Sequence, residues 1–364
     1  MCIRDSGIDA IWICPFYRSP MADFGYDVAD HTDVDPLFGA LADFDRLLAE
    51  AHRRGLKVII DWVPNHTSDR HDWFIESRSS RTNPKRHWYV WRDAKPDGAL
   101  PNNWQSVFGG PAWTLDEHTG QYYLHSFLAA QPDLNWRNPE VVEAMHGTLR
   151  FWLDRGVDGF RIDVAHYIIK HPDLEDNPPA ASPSTASDFK GMGEYDQWEH
   201  IHDKGHPEVH QAFRGIRRVL EKYEGDRFCV GEIHVFDWES WASYFGEGDE
   251  LHMPFNFSLV WADWNAQAIR RRIEGLEAAI PVHGWPNYVL GNHDEQRLAT
   301  RYGSQNAPAA AALLLTLRGQ PTIYYGDELG MTEVGVPPEL QQDPFVRVGA
   351  WPYGPSSAVA EDSL

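Results

Sequence analysis

Apolar runs with the length and texture of strands alternate with helix patterns along most of this chain, and that alternation limits the folds open to it. "IDAIWICPF" (8–16) reads as a strand buried on both faces. "LADFDRLLAEAHRRG" (41–55) follows, with Leu41, Phe44, Leu48 and Ala51 at helical spacing and Gly55 as a stop, and "LKVIIDWV" (56–63) is the next strand. "NPEVVEAMHGTLRFWLDRG" predicts a second helix, with Asn138 as N-cap, Pro139 in the first turn and Gly156 as the stop. It leads into the strand "GVDGFRIDVAHY" (156–167). "HPEVHQAFRGIRRVLEKY" places Val209, Phe213, Ile216, Leu220 and Tyr223 on one face and leads into "RFCVGEIHV". "MPFNFSL", "NYVLGNHD" and "PTIYYGDELG" complete seven strands, most joined by helices, which implies parallel βα units.

An open doubly wound sheet and a closed barrel both accommodate such units. Polar residues recur at the C-terminal ends of nearly every strand: Asp61, Asp163, Glu232, Asn292 with Asp294, and Asp327. A (β/α)8 TIM barrel gathers those ends into one site, so the barrel is the expected α/β fold. The alternation stops between Val63 and Asn138, where Trp, Gly, Pro and Asn are frequent and "AWTLDEHTGQYYLHSF" predicts a hairpin. Residues 68–130 therefore read as a small inserted subdomain on the loop after the strand that ends at Asp61. The expected organisation is barrel over 1–67, insert over 68–130, barrel again over 131–345, and an irregular tail over 346–364. A long loop is expected over 170–199, around "EDNPPAASPSTASD".

The same strand that ends at Asp163 carries Arg161 two residues earlier, so the two charges share a face of an otherwise apolar segment. Buried charges are costly unless paired or used. Asp163, Glu232 and Asp294 would share one mouth, and glycoside cleavage needs two carboxyl groups, one neutral and one ionised. A cation beside Asp163 favours its carboxylate, which suits a nucleophile. The apolar "FCV" before Glu232 should raise its pKa, which suits a general acid. Asp61 is expected to be structural. The net charge of −22 argues against nucleic acid or an anionic membrane as partner. Sixteen Trp suit sugar platforms but also ordinary cores, and Trp88, Tyr89, Trp91, Trp104 and Trp113 read mostly as core of the insert. Of three cysteines, Cys14 and Cys229 lie in apolar runs and read as reduced core thiols of a cytoplasmic protein. The "HIHDKGHPEVH" cluster (His200, His202, His206, His210) lacks a zinc-ligand spacing and reads as a solvated face, so no metal site is expected.

The stretches "GYDVAD", "DWVPNHTS", "QPDLNW", "GFRIDVAH", "GEIH" and "LGNHDEQR" occur in one order between about residue 7 and about residue 345. In these the chain resembles the α-amylase family of glycoside hydrolases, and within it the α-glucosidase and oligo-1,6-glucosidase branch. The resemblance implies Asp163 as nucleophile, Glu232 as acid/base and Asp294 as transition-state stabiliser. It also implies that Asp27, His66, Arg161 and His293 surround the innermost sugar, with Gln131 lining the same pocket. The implied activity is retaining hydrolysis of short α-glucosides. The alternatives are a transglycosylase or trehalose-synthase-like isomerase with the same trio, or a non-catalytic binding relative, which would lack the trio and carry a membrane helix. Val164, directly after Asp163, is larger than the residue often found there in α-1,4 specialists and points to tolerance of α-1,6 bonds.

Two departures stand out against that family. His31 stands where the branch usually has Tyr. The family's first strand, cation-binding loop and first helix would precede "GIDAIWI", where this chain has "MCIRDS", and a β-sandwich would follow where it has "VGAWPYGPSSAVAEDSL". The expectation is thus a barrel missing its first strand and helix, with no cofactor within these residues.

Overall fold

The computed structural model describes residues 7–180 and 194–344. The N-terminal "MCIRDS", most of the Pro- and Ser-rich run in the long loop, and the tail from 346 onward lie outside the described residues. The chain divides into two compact units, residues 1–157, 166–207 and 338–364 forming the first and residues 158–165 and 208–337 the second.

In the first unit, β1 (Ala10–Ile13) pairs in parallel with β4 (Lys57–Trp62), and β2 (Tyr17–Arg18) pairs antiparallel with β3 (Asp30–Val34). Helix α1 (Leu41–Arg53) connects β3 to β4 and buries Phe44, Leu48 and Ala51. It ends where predicted, at Gly55, whose φ of 78° is a conformation that side chains resist. Phe44 stacks on Phe16 at 4.9 Å and meets the edge of Trp152 at 5.0 Å. Trp152 belongs to α3 (Pro139–Asp154), whose first turn is capped by Asn138 accepting from the Glu140 amide. Two indole N–H groups tie α3 to the strands, Trp152 donating to the His31 carbonyl at 2.7 Å and Trp62 to Thr148 Oγ1 at 2.8 Å.

Between β4 and α3 lie α2 (Asp72–Ser79) and a three-stranded antiparallel sheet of β5 (Trp91–Arg92), β6 (Trp113–Asp116) and β7 (Gln121–Leu124), in the order β5-β7-β6. The predicted hairpin is β6–β7, in register Trp113↔Leu124 to Asp116↔Gln121. Tyr89, Trp91, Trp104 and Trp113 are buried in this region, as core.

Two expectations need correction. β1 itself is half-buried throughout rather than covered on both faces, and Cys14 just beyond it is exposed. Among the described residues only β4 pairs with β1, so no strand flanks its second edge. Cys229, in contrast, is buried, and desolvation pushes its thiol up to about 11.

The second unit runs β8 (Gly159–Ile162), α4 (Val209–Leu220), β9 (Phe228–Gly231), α5 (Trp238–Ser243), β10 (Met253–Pro254), α6 (Ala266–Ala279), β11 (Asn287–Val289), α7 (Leu298–Arg301), α8 (Ala307–Thr316) and β12 (Gln320–Thr322). β8, β9 and β10 are parallel neighbours, the single bridge Asn256↔Tyr288 continues the parallel run to β11, and β11 pairs with β12. Strand order therefore follows chain order without the reversal that marks a doubly wound sheet. Helix α4 buries Val209, Phe213, Ile216, Val219 and Leu220 and ends before Tyr223. No helix among the described residues is long and apolar enough to cross a membrane.

Candidate active site

β8 and β9 lie side by side with Arg161 opposite Val230 and Ile162 opposite Gly231, so the residues that leave the two strands, Asp163 and Glu232, emerge together. The pairing is close because residue 159 lacks a side chain: a Cβ there would stand 2.6 Å from the Phe228 carbonyl oxygen. Arg161, Asp163 and Glu232 are all buried. The guanidinium spans both acids, with Nη1 2.6 Å from Asp163 Oδ1 and Nη2 2.8 Å from Glu232 Oε2. Arg161 is thus shared, where the sequence suggested a partner for Asp163 alone.

Glu232 has further donors. The Val164 amide gives a 2.8 Å hydrogen bond to Oε2, and His234 Nε2 lies 3.0 Å from Oε1. The imidazole stacks on Phe257 with centroids 4.3 Å apart and planes 7° from parallel. Val164 makes its bond from the left-handed region, at φ 35°, which β-branched residues rarely occupy. Burial pulls the Glu232 carboxyl upward, but Arg161, His234 and the Val164 amide outweigh it and hold Glu232 well below the usual carboxylate range. The apolar flank therefore does not leave this group neutral, because the arginine meant for its neighbour reaches it too.

Asp294 lies beyond β11 and is exposed. Its hydrogen bonds run to its own neighbours, from Asn292 Nδ2 at 2.7 Å and near His293 Nε2 at 3.4 Å.

The remaining predicted residues lie in the first unit. Asp27 is fully buried, and its carboxylate accepts from Ser19 Oγ at 2.9 Å and from the amides of Ala22 at 2.9 Å and Asp23 at 3.0 Å. Much of its capacity is spent on shaping its own loop. Gln131 links the Leu128 amide (3.0 Å), Asp23 Oδ2 (2.8 Å) and His66 Nε2 (3.1 Å). Burial lowers His66 to about 4, so its ring is neutral at pH 7. Asp61 anchors this region, taking Trp12 Nε1 at 3.2 Å and the Tyr26 hydroxyl at 3.1 Å on one carboxylate oxygen. His31 is buried, its Nε2 3.1 Å from the Val63 carbonyl and its ring near Tyr17, His71 and Trp73.

Sequence reasoning missed His234, Asn65, Asp133 and Lys170. His234 had a signal: it stands two residues from Glu232, the spacing that singled out Arg161 and Asp163. Lys170 is a lone cation in an apolar run. It pairs with Asp133 at 2.9 Å and donates to Asn65 Oδ1 at 2.7 Å, both partners being buried. The histidine cluster is only partly a solvated face: His200 is buried, stacked on Tyr195 at 3.7 Å and paired with Asp203 at 2.6 Å.

One arginine is thus shared by two buried acids at the ends of adjacent parallel strands. The alpha-amylase family model, described as the alpha amylase catalytic domain, matches residues 2–347, and the chain belongs to that family. Among its relatives, a probable alpha-glucosidase of Rhizobium meliloti is 45% identical over 360 residues, a match covering 96% of this chain and 65% of the relative. An oligo-1,6-glucosidase of Parageobacillus thermoglucosidasius is 39% identical over 354 residues, covering 92% and 60%. Of the solved structures, an alpha-glucosyl transfer enzyme superposes with a TM-score of 0.91 at 45% identity over 96% of this chain and 66% of that one. A trehalulose synthase of Pseudomonas mesoacidophila gives 0.84 at 37%, over 97% and 64%. The chain thus spans between 60% and 66% of the length of these four proteins. The family and these neighbours imply the (β/α)8 barrel.

Proposed function

We propose that this chain carries the catalytic machinery of a retaining α-glucosidase, which releases glucose from short α-linked gluco-oligosaccharides through a covalent glycosyl-enzyme intermediate. The observation that carries the reading is the guanidinium of Arg161 held between Asp163 and Glu232. Two carboxylates on one guanidinium fit the ~5–5.5 Å separation of retaining enzymes better than the ~6.5–9.5 Å that leaves room for an inverting water.

Asp163 attacks the anomeric carbon while Glu232 protonates the departing glycosidic oxygen. Glu232 then takes a proton from water, whose oxygen displaces Asp163. With its resting pKa held low, Glu232 has to gain its proton as the sugar binds. A sugar seated against the carboxylate adds to the desolvation that already pulls this group upward. Asp294 stabilises the transition state, and Asp27, His66, Gln131 and His293 bind sugar hydroxyls, roles that rest on the family motifs. The chemistry needs no cofactor. Residues 68–130 form the subdomain inserted after the third barrel strand, a reading supported by the β5–β7 sheet. A cytoplasmic setting fits the buried, unpaired Cys229.

A second reading, transfer of glucose to a sugar acceptor, is favoured by the similarity to the alpha-glucosyl transfer enzyme and the trehalulose synthase. Product analysis separates the two. With this protein, maltose and isomaltose should yield glucose, first as the α-anomer by proton NMR, and Asp163→Asn should lower kcat at least ~10⁴-fold. A β-anomer formed first would remove Asp163 from the nucleophile role. New disaccharides in place of free glucose would favour transfer. Isomaltose left intact beside rapid maltose cleavage would overturn the expectation drawn from Val164.

A further inference from the structure

The segment 166–207 of the first unit brings together three side chains that have no part in the proposed chemistry. One ligand atom each from His171, Glu175 and His202 lies within 4.8 Å of the other two. The grouping is made by folding: the His171 amide donates to the His202 carbonyl at 2.7 Å and joins two stretches distant in sequence. The Asp173 amide donates to His171 Nδ1 at 3.3 Å, leaving Nε2 as the ligand nitrogen. The rings of His171 and His202 meet edge to face at 4.8 Å, and His206 adds a third imidazole 5.8 Å from His171.

The backbone beneath these side chains is fixed. The Glu175 carbonyl accepts from Trp104 Nε1 at 2.8 Å, Asp176 Oδ1 from the Asn103 amide at 2.9 Å, and Asn177 Oδ1 from the His202 amide at 3.1 Å. What remains adjustable is the exposed Glu175 side chain, whose Oε2 stands 3.9 Å from His202 Nε2. That distance is too long for a hydrogen bond. A metal with bonds of about 2.0–2.2 Å would draw the two atoms slightly closer, within reach of a rotamer change.

We propose that His171, Glu175 and His202 bind a single divalent transition-metal ion of the zinc class. Two imidazoles and one carboxylate select zinc, cobalt, nickel or copper over calcium and magnesium, which prefer all-oxygen sets. Water or His206 completes the coordination. Bound metal would pin the base of the long loop next to Lys170, and so stiffen the Lys170–Asn65–Asp133 network.

The test uses the metal-stripped protein, titrated with zinc chloride by calorimetry and with cobalt chloride by visible absorption. A single zinc site, a cobalt spectrum of tetrahedral intensity, a zinc-dependent rise in Tm and no response to calcium are expected. His171→Asn combined with His202→Asn should weaken zinc binding by at least about tenfold. Glu175→Gln, a change at an exposed side chain that poses no risk to folding, should weaken it as well. Equal zinc affinity in the parent and in Glu175→Gln, or a cobalt spectrum no different from the hydrated ion, would overturn the proposal.

Discussion

His234 Nε2 stands 3.0 Å from Glu232 Oε1, on an imidazole clamped flat against Phe257. It therefore stabilises the ionised form of the group proposed to donate the proton. Replacing His234 with Leu should raise the Glu232 pKa and move the alkaline limb of kcat, which reports the sugar-bound enzyme, to higher pH, with the acid limb in place. Both limbs unmoved in the variant would reduce His234 to a packing residue.

Arg161 serves both acids, so its loss should move both limbs. In Arg161→Met the acid limb shifts upward as Asp163 loses its cation, and the alkaline limb follows as Glu232 does. The variant also strands two buried carboxylates, at about 3–5 kcal/mol of unfolding free energy. Urea unfolding at pH 7 checks that figure, and a loss below 1 kcal/mol would mean that water already reaches the pair.

Gly159→Ala tests the approach of β8 to β9. Its new Cβ would meet the Phe228 carbonyl oxygen, which is backbone and has little room to move. Stability should fall by roughly 1–3 kcal/mol, and kcat should fall with it, because Arg161 shifts with the strand. Full activity in a destabilised variant would separate the strand spacing from the placement of the acids.

Acid stability should depend on buried histidines, His31 and His66 among them. Burial lowers both His31 and His66 to about 4, against an ordinary value of 6.5. The unfolded chain therefore binds protons first as the pH drops. Their contribution is complete above pH 6.5 and is lost as pH falls towards 4, on the order of 3 kcal/mol for each. Tm measured across that window should drop steeply, and less steeply in His31→Leu. A drop of equal steepness in the variant would assign the acid sensitivity to other groups.

The strands and helices were legible because their signals are local. Asn138, Pro139, Gly55 and Gly156 mark helix ends by their own backbone preferences, and six of the seven apolar runs contain the strand formed there, the seventh starting one residue after Gln320, where β12 begins. The exposure of β1 was not legible, since burial depends on neighbours rather than on composition. The pairing of Arg161 with Asp163 followed from a two-residue spacing, but its second bond, to Glu232, crosses between strands and reverses the charge state that the apolar flank suggested. The grouping of His171 with His202 was hidden too, because His171 lies outside the visible cluster, which read as a solvated face and which also holds His200 and His210. Each of those two has a carboxylate of its own, Asp203 and Glu250.

Val164 holds its left-handed backbone against a steric cost of about 1–2 kcal/mol, and the acceptor that rewards it, Glu232, lies 68 residues further along the chain. Nothing within residues 159–166 would choose that conformation by itself. The reactive arrangement therefore cannot be complete before β8 and β9 have found their register. Under mild denaturant, turnover should vanish while the helical signal in circular dichroism is still close to native. For this chain activity is a finer gauge of correct folding than any measure of secondary structure.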